Sequence, residues 1–321
     1  MNKNSSGAVE LRNRRLLTPK QVARAIGVSE ASLKRWCDKG LIAADKTAGG
    51  HRRLSVDAVC QFLRATGRRA VRPELLALPA STGLGDGSIE RALERVRTAL
   101  ETGDEEQARG LVLDLYLAGN TFAEICDRVL ARAFHVIGDR WERGALEVYQ
   151  ERRACEICLR VLHEMRAMLP PPASDAPYAM GAALEHDLYA LPNAMIELVL
   201  WENGWRAESY GSHNPAVSMR SAVTIRKPTL LWLSVSAIDS RDEFLRAYDA
   251  LFEGARHAGC ALVLGGRALT DELRREMKFT AYCDNLQHLA EFVRAFHPRD
   301  ATSAGNGNGR GDPPDAYADA H

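Results

Sequence analysis

The sequence predicts a multidomain chain: an all-α winged helix-turn-helix, a four-helix bundle, and an α/β doubly wound parallel sheet of flavodoxin-like order 2-1-3-4-5. Three observations carry that reading. Two capped helices near the start precede a glycine-tipped basic hairpin, a helical stretch from Ser88 to about Leu169 contains no strand signal, and strand and helix signals alternate five times from Tyr178 onward. A chain of 321 residues, 46% hydrophobic and 26% charged, suits two or three globular domains.

Charge divides the chain. Residues 1–73 hold sixteen Lys and Arg against five Asp and Glu, while the whole sequence carries 42 of each kind, so the remainder is acidic. That asymmetry points to a polyanion partner for the N-terminal part alone. No run of eighteen apolar residues occurs and the first fifteen residues are polar and basic, so neither a membrane span nor a secretory signal is expected. Seven cysteines without framework spacing predict reduced thiols in the cytoplasm. The one C-x-x-C, Cys155 and Cys158, falls in a helical stretch with no second Cys or His pair nearby, against a metal or redox role.

Residues 1–15 are expected to form a disordered basic arm with Lys3, Arg12 and Arg14. Order begins at Thr18-Pro19-Lys20-Gln21, where Thr18 as N-cap, Pro19 at the first helical position and Gln21 at the third satisfy the first orphan backbone donors. Gly27-Val28-Ser29 breaks and recaps the chain. The second helix, Ser29 to Lys39, buries Leu33 and leaves Lys34, Arg35 and Lys39 outside, the face of a recognition helix. Thr47 to Leu54, with Gly49, Gly50, His51, Arg52 and Arg53, reads as a hairpin wing, and Ser55 caps a third helix through Val59, Phe62 and Leu63. The order of the Leu-Thr-Pro start, Val-Ser turn, Arg-Trp pair and Gly-Gly-His-Arg-Arg wing resembles the winged helix of MerR-type regulators and of excisionases. That resemblance implies double-stranded DNA as partner, contacted by Lys20, Lys34, Arg35, Lys39, His51, Arg52 and Arg53. The domain is placed at 16–73.

Residues 74–87, with Pro79 and three glycines, Gly83, Gly85 and Gly87, read as a flexible linker. Breaks near Gly103, Gly119-Asn120 and Gly144 divide residues 88–170 into four helices that pack as a bundle. Pro170-Pro171-Pro172 to Pro177 is a stiff connection. The α/β domain, 178–298, has strands near 178–184, 206–210, 229–235, 260–264 and 279–283, with helix starts at Pro192, Asn214-Pro215, a Ser240/Glu243 capping box, Thr270 and an Asp284/Gln287 pair. Residues 299–321 are expected to be a disordered tail.

Ligands of doubly wound sheets bind outside the carboxyl ends of the strands flanking the switch point, here Glu185 to Pro192 and Ser234 to Ala237. Along those ends run Asp187, Gly204-Trp205, Pro215, Ser234, Ser236 and Gly265-Gly266. This gapless series resembles the cobalamin-binding domain family, whose pattern is D-x-H-x-x-G, a Gly-aromatic pair, L-G-x-x-x-P, paired serine positions and a late Gly-Gly. Two positions depart from it: Tyr189 stands in the place of the cobalt-ligating histidine and Pro192 in the glycine place. A phenol is a hard oxygen donor and does not simply replace imidazole on cobalt. In the family a detached nucleotide tail threads a channel between strand ends, which Ser234, Ser236, Gly265 and Gly266 would line here.

A winged helix, a helical cap and this fold in series resemble MerR-type, cobalamin-dependent light-sensing repressors, whose cap carries Trp, nine residues, then Glu-His over the upper face of the corrin. Trp141 and Glu151 match, and Arg152 takes the histidine place. The resemblance implies a ligand pocket of Trp141, Glu151, Arg152, Asp187, Tyr189, Pro192, Ser234, Ser236, Gly265 and Gly266, with no metal ligand assigned. The cofactor stays open between cobalamin held weakly without an axial histidine, another tetrapyrrole such as haem or a bilin, a small metabolite, and none. The light switch of the family is not expected. His186 would reach the site only by a slip of the loop that breaks the downstream match.

A ligand-responsive DNA-binding regulator, self-associating as a dimer or tetramer, is therefore the expected function, and not an enzyme. A corrinoid-carrying enzyme subunit is the alternative, though it needs a cobalt ligand and has no use for a basic winged helix. An excisionase-like architectural DNA binder accounts for the first 70 residues only.

Overall fold

The computed structural model describes residues 16–47, 49–83 and 87–296, so the expected basic arm and the tail lie outside the described residues. In the N-terminal unit, β1 (Leu16–Leu17) leads into α1 (Pro19–Ile26), α2 (Glu30–Asp38), the wing strands β2 (Asp45–Lys46) and β3 (Arg52–Ser55), and α3 (Val56–Thr66). Within this mainly helical unit the expected hairpin wing is joined by one more strand: β1, β3 and β2 make a small antiparallel sheet, with Leu16 opposite Ser55 and Asp45 opposite Arg53. The helix starts are those the capping residues predict. Thr18 and Gln21 form a reciprocal capping box, Ser29 accepts from Ser32 N–H, and Ser55 accepts from Ala58 N–H.

The segment 73–83 is not a free linker. Pro73–Leu76 forms a 3₁₀ turn, Leu76 and Leu78 are buried, and Gly83 N–H donates to the Asp114 carboxylate at 2.5 Å. A side chain at Gly110 would strike the Ser81 hydroxyl, so that glycine admits the passing segment against the bundle. Leu76 and Leu78 thus tether the segment, and composition alone did not show it.

The bundle consists of α4 (Ile89–Thr102), α5 (Glu105–Leu117), α6 (Phe122–Ile125) running through a π-helical turn (Cys126–Leu130) into α7 (Ala131–Glu142), and α8 (Val148–Ala167). The α/β unit follows as β4 (Tyr178–Ala182), α9 (Leu191–Glu202), β5 (Arg206–Ser209), α10 (Ala216–Arg226), β6 (Leu230–Ser234), α11 (Arg241–His257), β7 (Ala261–Gly265), α12 (Asp271–Glu276), β8 (Ala281–Tyr282) and α13 (Leu286–Ala295). All five strands are parallel in the spatial order β5-β4-β6-β7-β8, the expected 2-1-3-4-5.

The central strands β4, β6 and β7 are buried on both faces, and the period of two assigns their residues. Leu231 and Leu233 of β6 pack with Tyr248 and Leu251 of α11, whereas Leu230 and Trp232 pack on the other face with Leu200, Leu289 and Val293 of α9 and α13. The outer side of α9, with Ala194, Met195, Leu198 and Val199, joins the core of the bundle. One helix is therefore shared between the sheet and the cap.

Two of the predicted helix starts are corrected. Ser240 is the residue before α11 but makes no side-chain cap, and Glu243 turns instead toward a cavity described below. The N-cap of α13 is Asn285, which accepts from His288 N–H, and the helix is completed from another domain: the Asp127 carboxylate, in the π-helical turn, accepts from Leu286 N–H at 3.0 Å and Gln287 N–H at 2.9 Å. Asp127→Ala is expected to cost about 1–2 kcal/mol, the range of a lost helix cap. Urea unfolding followed by far-UV circular dichroism checks it, and no loss of stability would remove Asp127 from this role.

Candidate functional site: a docked winged helix and a strand-end loop

The basic surface of the winged helix is open to solvent. Lys20, Lys34, Arg35, Lys39, Lys46 and His51 are all exposed, on α1, α2, the residue after α2 and the wing. Arg35 reaches back to the Ser32 hydroxyl at 3.4 Å. Lys34 pairs with Glu30 at 2.8 Å, one turn earlier, a contact that polyanion phosphates can displace at little cost because both partners are solvated. Arg52 is held differently: its guanidinium donates to the Asp38 carboxylate and so pins the wing to the end of α2. Arg53 is half-buried and donates to the Arg52 carbonyl at 3.3 Å. Of the two wing arginines, Arg52 is thus engaged in positioning.

The face of the winged helix turned to the cap is α3. Gln61 donates to the Tyr116 hydroxyl at 2.8 Å, and the Arg64 guanidinium lies over the Tyr116 ring at 4.2 Å. The same guanidinium donates to the carbonyls of Tyr116, of Asn120 at 2.7 Å and of Gly119 at 3.2 Å, acceptors at and just beyond the end of α5. Glu202, at the end of α9, stands 3.9 Å from Arg64 and accepts from Phe122 N–H at 2.8 Å. Burial holds its carboxyl above the ordinary glutamate value. Arg64 therefore joins all three units at one point, a role that a lone arginine in an amphipathic helix does not announce.

At the strand ends, Asp187 is the organising residue. Its carboxylate is buried and accepts three backbone donors: Ser236 N–H at 2.6 Å, Ala237 N–H at 3.3 Å and Tyr189 N–H at 3.0 Å. It thereby ties the loop after β4 to the loop after β6 across the switch point. Tyr189 is half exposed, and the Arg267 guanidinium lies over its ring at 4.7 Å while Arg267 Nε–H donates to the Ser236 carbonyl at 3.2 Å. Pro192 occupies the second position of α9, where its missing N–H is not needed.

Ser234 and Ser236 are buried. Gly265 and Gly266 are required by the chain itself: a side chain at Gly265 would meet the Cys283 carbonyl at 2.9 Å, and Gly266, at φ 129°, would meet the Val235 carbonyl at 2.2 Å. The structure thus brings Asp187, Tyr189, Ser236 and Arg267 together. It does not join them to the cap residues: among the described residues, no hydrogen bond, ion pair or ring contact links Trp141, Glu151 or Arg152 to the strand-end loops. Trp141 is half exposed, Arg152 pairs with Glu151 at 3.6 Å, and Glu151 accepts from the Cys155 thiol at 3.2 Å. Burial pushes the Cys155 thiol up to about 12 and that of Cys158 up as well, which leaves neither as a thiolate.

On the sheet face covered by α11, a cavity of about 240 Å³ is lined by Leu184, Glu185, His186, Ile238, Asp239, Ser240, Glu243, Phe244 and Ala247. His186 belongs to this side, where its N–H donates to His213 Nδ1 at 3.0 Å, and not to the Tyr189 side. Sequence reasoning missed Arg267, Trp232 and Asn193. Trp232 was within reach, since it lies two residues before Ser234 and so shares its strand face.

Comparison with known proteins places these units. Residues 16–67 match a family model described as a helix-turn-helix domain, and residues 92–164 match one described as a B12 binding domain. Among solved structures the chain is similar to the monomethylamine corrinoid protein of Methanosarcina barkeri, at 17% identity and a TM-score of 0.54, over 64% of this chain and 98% of that one. It also matches a cobalamin-binding protein from Desulfitobacterium hafniense DCB-2 (17% identity, TM-score 0.34, 63% of this chain and 97% of that one). A third match is the methanol:cobalamin methyltransferase complex of Methanosarcina barkeri (14% identity, TM-score 0.36, 73% and 93%). No curated protein matches the chain. A helix-turn-helix domain is thus followed by a bundle matching the B12 binding domain and by a five-stranded parallel sheet.

Proposed function

We propose that this protein is a DNA-binding transcriptional regulator of the MerR-like kind, in which a cap and cobalamin-binding-like domain hold and orient the winged helix. The observation that supports this best is the division of the winged helix into two surfaces. Its α3 side is engaged by the cap through Gln61 and Arg64, and its α1, α2 and wing side presents Lys20, Lys34, Arg35, Lys39 and His51 to solvent. A second helix entering the major groove with the wing along the flanking backbone uses that free side. Two copies reading two half-sites, as a homodimer or tetramer, supply the affinity that one small footprint lacks. Among the described residues no helix is long and apolar enough to cross a membrane, and no group of three or more His, Cys, Asp or Glu is placed to hold a metal.

The alternative, a corrinoid-carrying enzyme subunit, is favoured by the fold likeness and opposed by the ligand position. Tyr189, where an axial histidine would stand, lies under Arg267, and a cation stacked on the ring disfavours a second cation at the same phenol.

Duplex binding measured by fluorescence anisotropy tests the proposal. Arg35→Ala is expected to weaken the specific complex by about 1–3 kcal/mol if the guanidinium reads a base edge. Affinity of the unaltered protein is expected to fall steeply with salt as phosphate counterions are released. Salt-independent binding, or an Arg35→Ala/Arg53→Ala variant that binds as tightly as the parent, would refute the assignment.

A further inference from the structure

We propose that the α/β domain cannot admit the detached nucleotide tail of a corrinoid, because its own Trp232 occupies the space between the sheet and α9 through which that tail would thread. Trp232 and Gly181 are cross-strand partners in β6 and β4. The indole folds over that glycine so closely that a Cβ there would lie 2.1 Å from the ring. Alternation along β6 puts Trp232 and Ser234 on the same face, so the ring fills the space inward of the serine. Leu200, Val263 and Leu289 belong to the same core cluster as the indole, and Trp232 is 1% exposed.

Polar bonds hold the ring in place. Its Nε1–H donates to Asn193 Oδ1 at 3.0 Å, and Asn193, itself fully buried, donates through Nδ2 to the Gly211 carbonyl at 3.1 Å. Swinging the indole out would leave the Asn193 acceptor unpaired in a dry site. The mouth is closed as well: Ser236 N–H is taken by Asp187, its carbonyl by Arg267, and Arg267 lies on Tyr189. The Gly265-Gly266 backbone abuts the Cys283 and Val235 carbonyls. The Ser236 backbone and the space at Gly265 and Gly266, which would line a channel, are thus taken up by the protein itself. A corrinoid that does bind this chain therefore keeps its own base on cobalt.

Titration of the full-length protein with methylcobalamin and with methylcobinamide, which lacks the nucleotide tail, tests this by absorption spectroscopy and equilibrium filtration. The expected result is either that neither is retained, or that both are retained within about threefold of each other and methylcobalamin keeps its base-on spectrum. A base-off spectrum on the unaltered protein, or a preference for methylcobalamin of about tenfold or more, would overturn the proposal. Trp232→Ala is expected to create such a preference. A folded Trp232→Ala variant that shows none would remove Trp232 as the obstruction, and if that variant does not fold, the comparison on the unaltered protein decides alone.

Discussion

Trp232→Ala is expected to destabilise the α/β unit by about 3–5 kcal/mol, the cost of truncating a large, fully packed aromatic residue. Two separate losses add here. The cavity left over Gly181 cannot collapse readily, because its walls are strands β4, β6 and β7 and the helices α9 and α13. The Asn193 Oδ1 also loses its donor at a site with no solvent, which by itself costs about 1–3 kcal/mol. Trp232→Phe separates the two, since it keeps most of the packing and removes only the indole N–H, and a smaller loss of about 1–3 kcal/mol is expected. Chemical unfolding monitored by circular dichroism and by intrinsic fluorescence reads both variants. The chain has several units, so the transition of the α/β unit must be resolved from that of the winged helix. A change within about 1 kcal/mol for the alanine variant would show that the indole is not a structural plug.

Asp187→Ala is expected to cost about 2–4 kcal/mol, because one buried carboxylate accepts from three backbone donors and each charge-assisted bond of this kind is worth more than a neutral one. The damage is expected to be local. Ser236 N–H, 2.6 Å from the carboxylate in the native protein, is left without its acceptor in a buried position. Hydrogen exchange at Ser236 and Tyr189 should therefore accelerate far more than at Leu231 or Leu262 in the strands. Asp187→Asn keeps one acceptor oxygen and is expected to fall between the parent and the alanine variant. Unchanged exchange at Ser236 in the alanine variant would show that the two loops are held together by something else.

Much of this fold is written locally. Thr18 with Gln21, Ser29 and Ser55 each place a helix start within one or two residues, because a capping side chain needs only the N–H groups of the next turn. The strand positions are equally legible, and uncrossed right-handed connections leave a handful of parallel orders, among them the 2-1-3-4-5 that the sheet adopts. The motif also located the strand ends that meet at the switch point, and Asp187 among them.

Tertiary structure decided what a local pattern cannot carry. The Ser240/Glu243 capping box is the right spelling without the bond, whereas α13 takes two of its acceptor contacts from Asp127, 159 and 160 residues away. Leu76 and Leu78 made an expected linker part of the core, since burial depends on what passes alongside and not on composition. Arg64 reads as one more surface arginine until the end of α5 and Glu202 arrive beside it. The serines and glycines of the motif were in the sequence. Whether they line an open channel was settled by Trp232 lying across Gly181 on a neighbouring strand, because side-chain volume closes a space only where the packing of distant segments brings it.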